Sequence, residues 1–126
     1  MVLDELPKFP GTGMTSVEIF SGAGGLSLGV ERAGFHHAAL VEIDKHACAT
    51  LRNNARQGTV GWSEATVFER DVVGFDYEQY FGKTNLLAGG APCQPWSLAG
   101  RQQGVHDRRN LFPEIFRAVR SLQPQA

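Results

Sequence analysis

Two prolines bracket the cysteine in Gly89-Gly90-Ala91-Pro92-Cys93-Gln94-Pro95-Trp96-Ser97-Leu98-Ala99-Gly100. Pro92 fixes its own φ, and Pro95 holds Gln94 toward extended backbone, a geometry that presents a side chain outward. A structural cysteine needs none of this, so Cys93 reads as a presented rather than a buried, inert thiol. The following stretch, Ser97 to Arg109, carries Gly100 and Gly104 among polar and arginine residues, as expected of a mobile cover that closes over a substrate. The second cysteine, Cys48, sits on an apolar helical stripe with Ala47, Leu51 and Ala55 and reads as core. No CxxC pair occurs and the four histidines are scattered, so no metal site is expected.

A second constellation lies upstream. Ser21-Gly22-Ala23-Gly24-Gly25 follows a β-rich run and precedes a helical one, the arrangement that seats a nucleotide cofactor in a doubly wound sheet. The GxGxxG fingerprint fits at Gly22 and Gly24, but its third position is Ser27. That residue leans away from a pyrophosphate, although this constellation alone does not separate NAD from S-adenosylmethionine. Glu42 and Asp71 end successive strands on the same sheet edge, where one carboxylate can take ribose hydroxyls and the other an adenine amino group.

The elements that must position these groups alternate in type. Strands are expected at 15–20, 38–42, 65–69 and 85–88, with helices after Gly24, after Asp44 and after Asn110. The first helix would pack Leu26, Gly29, Val30 and Ala33, and the last Leu111, Phe112, Ile115, Phe116, Val119 and Leu122. Pro124 stops the last helix, and a fifth strand should follow it. The order predicts an α/β, Rossmann-like doubly wound domain with a mainly parallel sheet, truncated after about four strands. Residues 1–14 read as a flexible lead-in, and 15–126 as the domain. The fourth strand would lie at an open edge, which points to self-association or a complementary polypeptide.

The chain has 126 residues, 42% of them hydrophobic and 20% charged, as in ordinary globular domains. It has no apolar run of bilayer-spanning length and no basic-then-apolar export signal, so the cytoplasm is the expected compartment and no membrane partner is foreseen. Residues 97–126 hold five arginines against two acidic residues, a basic tail that could meet a polyanion or simply be a solvated helix face.

The glycine turn Phe20-Ser21-Gly22-Ala23-Gly24-Gly25-Leu26, Val41-Glu42-Ile43-Asp44, Asp71-Val72, Gly90-Ala91-Pro92-Cys93-Gln94-Pro95 and Asp107-Arg108-Arg109-Asn110-Leu111-Phe112 occur in the order seen in the cytosine-5 DNA methyltransferases, and the chain resembles the N-terminal part of that family. The Pro-Cys-Gln tripeptide after a strand is the most specific element. The resemblance implies methyl transfer from S-adenosyl-L-methionine to carbon 5 of cytosine in double-stranded DNA, with Cys93 as covalent nucleophile on a base swung out of the duplex. No base adjoins Cys93 in sequence, so cofactor charge and nearby arginines are the candidates for favouring its thiolate. It further implies a cofactor site from Phe20, Gly22, Gly24, Leu26, Glu42, Ile43, Asp71, Val72 and Gly90. Substrate contacts would come from Pro92, Gln94, Ser97 and Arg101.

The family's Glu-Asn-Val motif, its Arg-x-Arg site, its target-recognition region and its C-terminal return segment are not in these residues. The resemblance therefore implies a fragment or one subunit of a split enzyme, inactive alone. A tRNA substrate, a non-catalytic cofactor-binding module and, disfavoured by Ser27 and Cys93, an NAD-dependent oxidoreductase are the competing expectations.

Overall fold

The computed structural model describes residues 7–92 and 110–126. Four strands, β1 (Thr15–Ile19), β2 (His36–Glu42), β3 (Val67–Glu69) and β4 (Leu86–Gly89), form one sheet in the order β3-β2-β1-β4. All neighbouring pairs are parallel, with Val17 opposite Ala39 and Leu87, and Leu40 opposite Val67. The helices are α1 (Gly25–Arg32), α2 (Lys45–Gln57) and α3 (Phe112–Leu122). The Rossmann-like expectation holds. β1 and β4 flank the point where strand order reverses, and a ligand crevice belongs at the carboxyl ends there.

Alternation along β1 divides the interior in two. Val17 and Ile19 join Ala39, Val41, Val72, Phe75, Tyr77, Ala118 and Leu122 in an apolar core. Leu40, Cys48, Leu51, Trp62 and Val67 make a second cluster. Ser16 and Glu18 are fully buried alternates on β1. A hydrogen-bonded run links them to α1: Ser16 Oγ lies 2.9 Å from His37 Nδ1, and His37 Nε2 lies 2.8 Å from the Ser27 carbonyl. Because a carbonyl only accepts, the Nε2 proton is the donor there. Ser27 Oγ in turn donates to Glu18 Oε1 at 2.7 Å. His37 is thus a satisfied structural histidine.

Two helix faces differ from the periodic expectation. On α1 the buried residues are Ser27 and Val30, while Leu26 is 50% exposed. The helix is rotated because Ser27 uses its hydroxyl on Glu18 and its carbonyl on His37. On α3 Ala118 and Leu122 are buried, whereas Phe116 is 62% exposed and Val119 also faces outward. Spacing of three and seven residues, from Ile115 to Ala118 and Leu122, meets the sheet and leaves the Phe116 side outside. The Asn110 side-chain oxygen Oδ1 accepts the Phe112 N–H, and Pro113 occupies the first turn, where its missing donor costs nothing. Asp44 caps α2, accepting from the His46 and Ala47 N–H groups.

Residues 125 and 126 lie beside β4. Ala126 donates to the Asn85 carbonyl and accepts from Leu87, the bonding pattern of a parallel ladder. The outer edge of β4 is therefore paired at its start by these two residues. Upstream, residues 7–14 are exposed, yet Phe9 donates to the Arg32 carbonyl and Thr12 to the Gly34 carbonyl.

Candidate active-site crevice

A cavity of about 330 Å³ opens at the carboxyl ends of the strands, lined by Phe20, Val41, Glu42, Ile43, Arg70, Asp71, Val72, Gly90, Pro92 and Leu111. That volume lies in the range of small-molecule sites. The wall residues end or follow a strand, except Leu111, which precedes a helix. β1 delivers Phe20, β2 delivers Glu42 and Ile43, β3 leads into Arg70 to Val72, and β4 leads into Gly90 and Pro92.

Glu42 is held from two sides. Oε2 accepts the Gly22 N–H at 2.7 Å, and Oε1 accepts the Asp44 N–H at 2.9 Å. Each oxygen keeps a lone pair for a further donor, and a vicinal diol offers two. Asp71 accepts the Val73 N–H through Oδ1 and is otherwise exposed. Around these carboxylates the walls are apolar, as a planar base requires. The two acceptor carboxylates and the apolar walls could hold a nucleoside, through its diol and an exocyclic amine.

The glycine turn reaches the cavity indirectly. Gly22 (φ +56°) does not line it but orients Glu42. Gly24 (φ +100°) is buried, and a Cβ there would come within 2.7 Å of Leu51. Leu26 is neither buried nor in the wall. Phe20 adopts φ +56°, a left-handed conformation uncommon outside glycine that costs on the order of 1 kcal/mol. Such strain gathers at ligand sites, and Phe20 lines this one.

Arg70 and Leu111 also line the crevice and were not among the expected cofactor residues. An arginine after a strand reads as surface, and Leu111 arrives from 40 residues further on; only the proximity of Arg70 to Asp71 signalled it. Cys93, Gln94, Ser97 and Arg101 lie outside the described residues. Cys48 is buried, its Sγ donates to the Glu42 carbonyl at 3.4 Å, and burial pushes its thiol pKa up. It is the structural cysteine. Among the described residues no His, Cys, Asp and Glu group could hold a metal. No described helix is long and apolar enough to cross a membrane.

Sheet order and crevice together define a Rossmann-like α/β protein with its site at the strand carboxyl ends. Residues 14–126 match the family described as C-5 cytosine-specific DNA methylase. The chain is 51% identical over 112 residues to the Type II methyltransferase M.NgoMIV of Neisseria gonorrhoeae, covering 89% of this chain and 33% of that protein. It is 44% identical over 123 residues to the Type II methyltransferase M.PspPI of Psychrobacter sp., covering 97% and 28%. A solved Escherichia coli structure, titled as a DNA modification methyltransferase encoded within a prophage, superposes with a TM-score of 0.63 at 32% identity, covering 88% of this chain and 30% of that one. The chain belongs to the C-5 cytosine-specific DNA methylase family, and it spans about a third or less of the length of these relatives.

Proposed function

We propose that residues 15–126 form the cofactor seat and carry the nucleophile of an enzyme that methylates carbon 5 of cytosine in double-stranded DNA. One observation carries this reading: Pro92, the residue before Cys93, lines the same cavity as Glu42 and Asp71. A covalent chain of one residue therefore ties the candidate nucleophile to the candidate nucleoside seat. S-adenosylmethionine, bound there, would supply the methyl group.

The protein's own residues divide the remaining work. Glu42, steadied by Gly22, would hold the ribose diol; Asp71 would take the adenine amine; Phe20, Ile43, Val72 and Gly90 would exclude water around the ring. Gly24 would keep the turn close to α2, and Leu26 would contribute from outside the cavity. Cys93 sulfur would bond to carbon 6 of the flipped cytosine, making carbon 5 nucleophilic toward the methyl group. Carbon 5 would take the methyl group as the sulfonium S–CH3 bond breaks and S-adenosylhomocysteine leaves; loss of the carbon 5 proton to a solvent base would then let the carbon–sulfur bond break and free the thiolate. Pro92, Gln94, Ser97 and Arg101 would meet the base and its phosphates.

The remaining family machinery would come from further polypeptide. The ladder begun by Ala126 on Leu87 and Asn85 supports its entry along the outer edge of β4. An apolar groove of about 350 Å³ beside that edge, between Leu87, Ile115, Val119 and Pro124, offers it a surface. The names of the Type II relatives support a role in restriction–modification.

The test is adduct trapping: duplex DNA carrying 5-fluorocytosine, S-adenosylmethionine and the complementing polypeptide should yield a covalent complex. Cys93→Ser should abolish it and Cys48→Ser should retain it. Turnover surviving Cys93→Ser would sink the proposal, and an adduct formed on tRNA but not on DNA would change its substrate.

A further inference from the structure

The sequence placed Arg117 in a basic tail that could meet a polyanion or be a solvated helix face, but its guanidinium faces inward. Nε donates to Glu114 Oε2 at 2.7 Å, one terminal nitrogen to the Phe75 carbonyl at 2.9 Å, and the other to the Val72 carbonyl. The guanidinium carbon also stands 5.0 Å from the centre of the Tyr77 ring, within reach of its π face. All three bonds use the planar fork in different directions, which a lysine ammonium cannot reproduce.

The two carbonyls bound are the ends of one turn. Phe75 donates to Val72, and Gly74 between them takes φ +77°. Val72 lines the crevice and Asp71 precedes it, while Leu111, also in the wall, opens the segment that becomes α3. Arg117 is thus the rigid link between two wall elements separated by some 40 residues of chain.

We infer that Arg117 is a positioning residue for the cofactor crevice: it fixes the Asp71–Val72 wall against α3 and so sets the width available to the nucleoside. This rests on the cofactor reading given above. It acts through the Val72 carbonyl and touches no ligand itself. The same contact ties α3 to the Val72 wall of the crevice.

Calorimetric titration of the chain with S-adenosylmethionine and S-adenosylhomocysteine tests it. Arg117→Ala should weaken binding of both by about tenfold, and Arg117→Lys by an intermediate factor. Leu122→Val, in the same helix and core but away from the crevice, should lower the melting temperature yet change affinity less than about twofold. Should Arg117→Ala not fold, Arg117→Lys against Leu122→Val makes the same comparison. Affinity unchanged in a folded Arg117 variant, or weakened equally by Leu122→Val, overturns the positioning role alone. Absence of binding by the unaltered chain overturns the cofactor reading and this inference with it.

Discussion

The two sides of β1 are made from alternate residues of one five-residue strand, yet they are stabilised by different physics. On one side Val17 and Ile19 sit in a core of side chains without charge, closed by α3 and the 72–77 segment. On the other, Ser16 and Glu18 are as deeply buried but are held by hydrogen bonds to His37 and Ser27. The apolar side is specified by volume. The polar side is specified by donors and acceptors, and it fixes the rotation of α1 and thereby the glycine turn before it. Among the described residues, Glu18 Oε2 is buried without a hydrogen-bond partner. Burial pushes its carboxyl up to about 7, against the opposing effect of the Ser27 bond.

Moving the acid by one residue breaks the comparison most severely. Val17→Asp would bury a carboxylate in the apolar core, at a cost of about 3–5 kcal/mol. Chemical denaturation should show the loss, and a cooperative transition within 1 kcal/mol of the parent (about the mean effect of a substitution) would refute the division.

The next effect is pH-dependent. Folded Glu18 stays neutral until about pH 7, whereas in the unfolded chain it ionises above its ordinary 4.5. Its contribution to stability is full below 4.5 and is lost as pH rises toward 7, by up to about 3 kcal/mol. His37 runs the other way. Burial lowers its pKa, so stability falls as pH drops through 6.5, where the unfolded imidazole takes a proton. Glu18→Gln removes only the first dependence. The stability of Glu18→Gln relative to the parent should therefore climb between pH 5 and pH 8, and a flat difference would refute an ionisable buried carboxyl. The smallest effect concerns the rotation of α3: Phe116→Ser should alter stability by less than about 0.5 kcal/mol, because the ring packs against solvent. A loss of several kcal/mol in the same measurement would restore Phe116 to the core.

Strand–helix order, the Asp44 cap, the stripe of Cys48 and Leu51 and the parallel sheet were all legible from periodicity and turn chemistry. So was the convergence of Glu42 and Asp71, because parallel strands bring their carboxyl ends to one edge. What periodicity could not read was polarity buried by intent. Ser16 and Glu18 look like the wet side of a half-exposed strand, and Ser27 looks like a failed third glycine. Only the helix closing over them turns both into one network. The α3 face was misjudged for a related reason: Phe116 is more apolar than Ala118, but the small side chain is what lets the helix approach the sheet. Arg117 was read by charge, and geometry gave it to two carbonyls instead. Cys93, Gln94, Ser97 and Arg101 lie outside the described residues.

The concealed sulfur of residue 48 gives the molecule an internal clock. In a chain whose other cysteine is replaced by serine, an alkylating reagent can consume that thiol only during moments when α2 lifts from the sheet. The pace of alkylation would then time the opening of the layer that backs Glu42, with no added label.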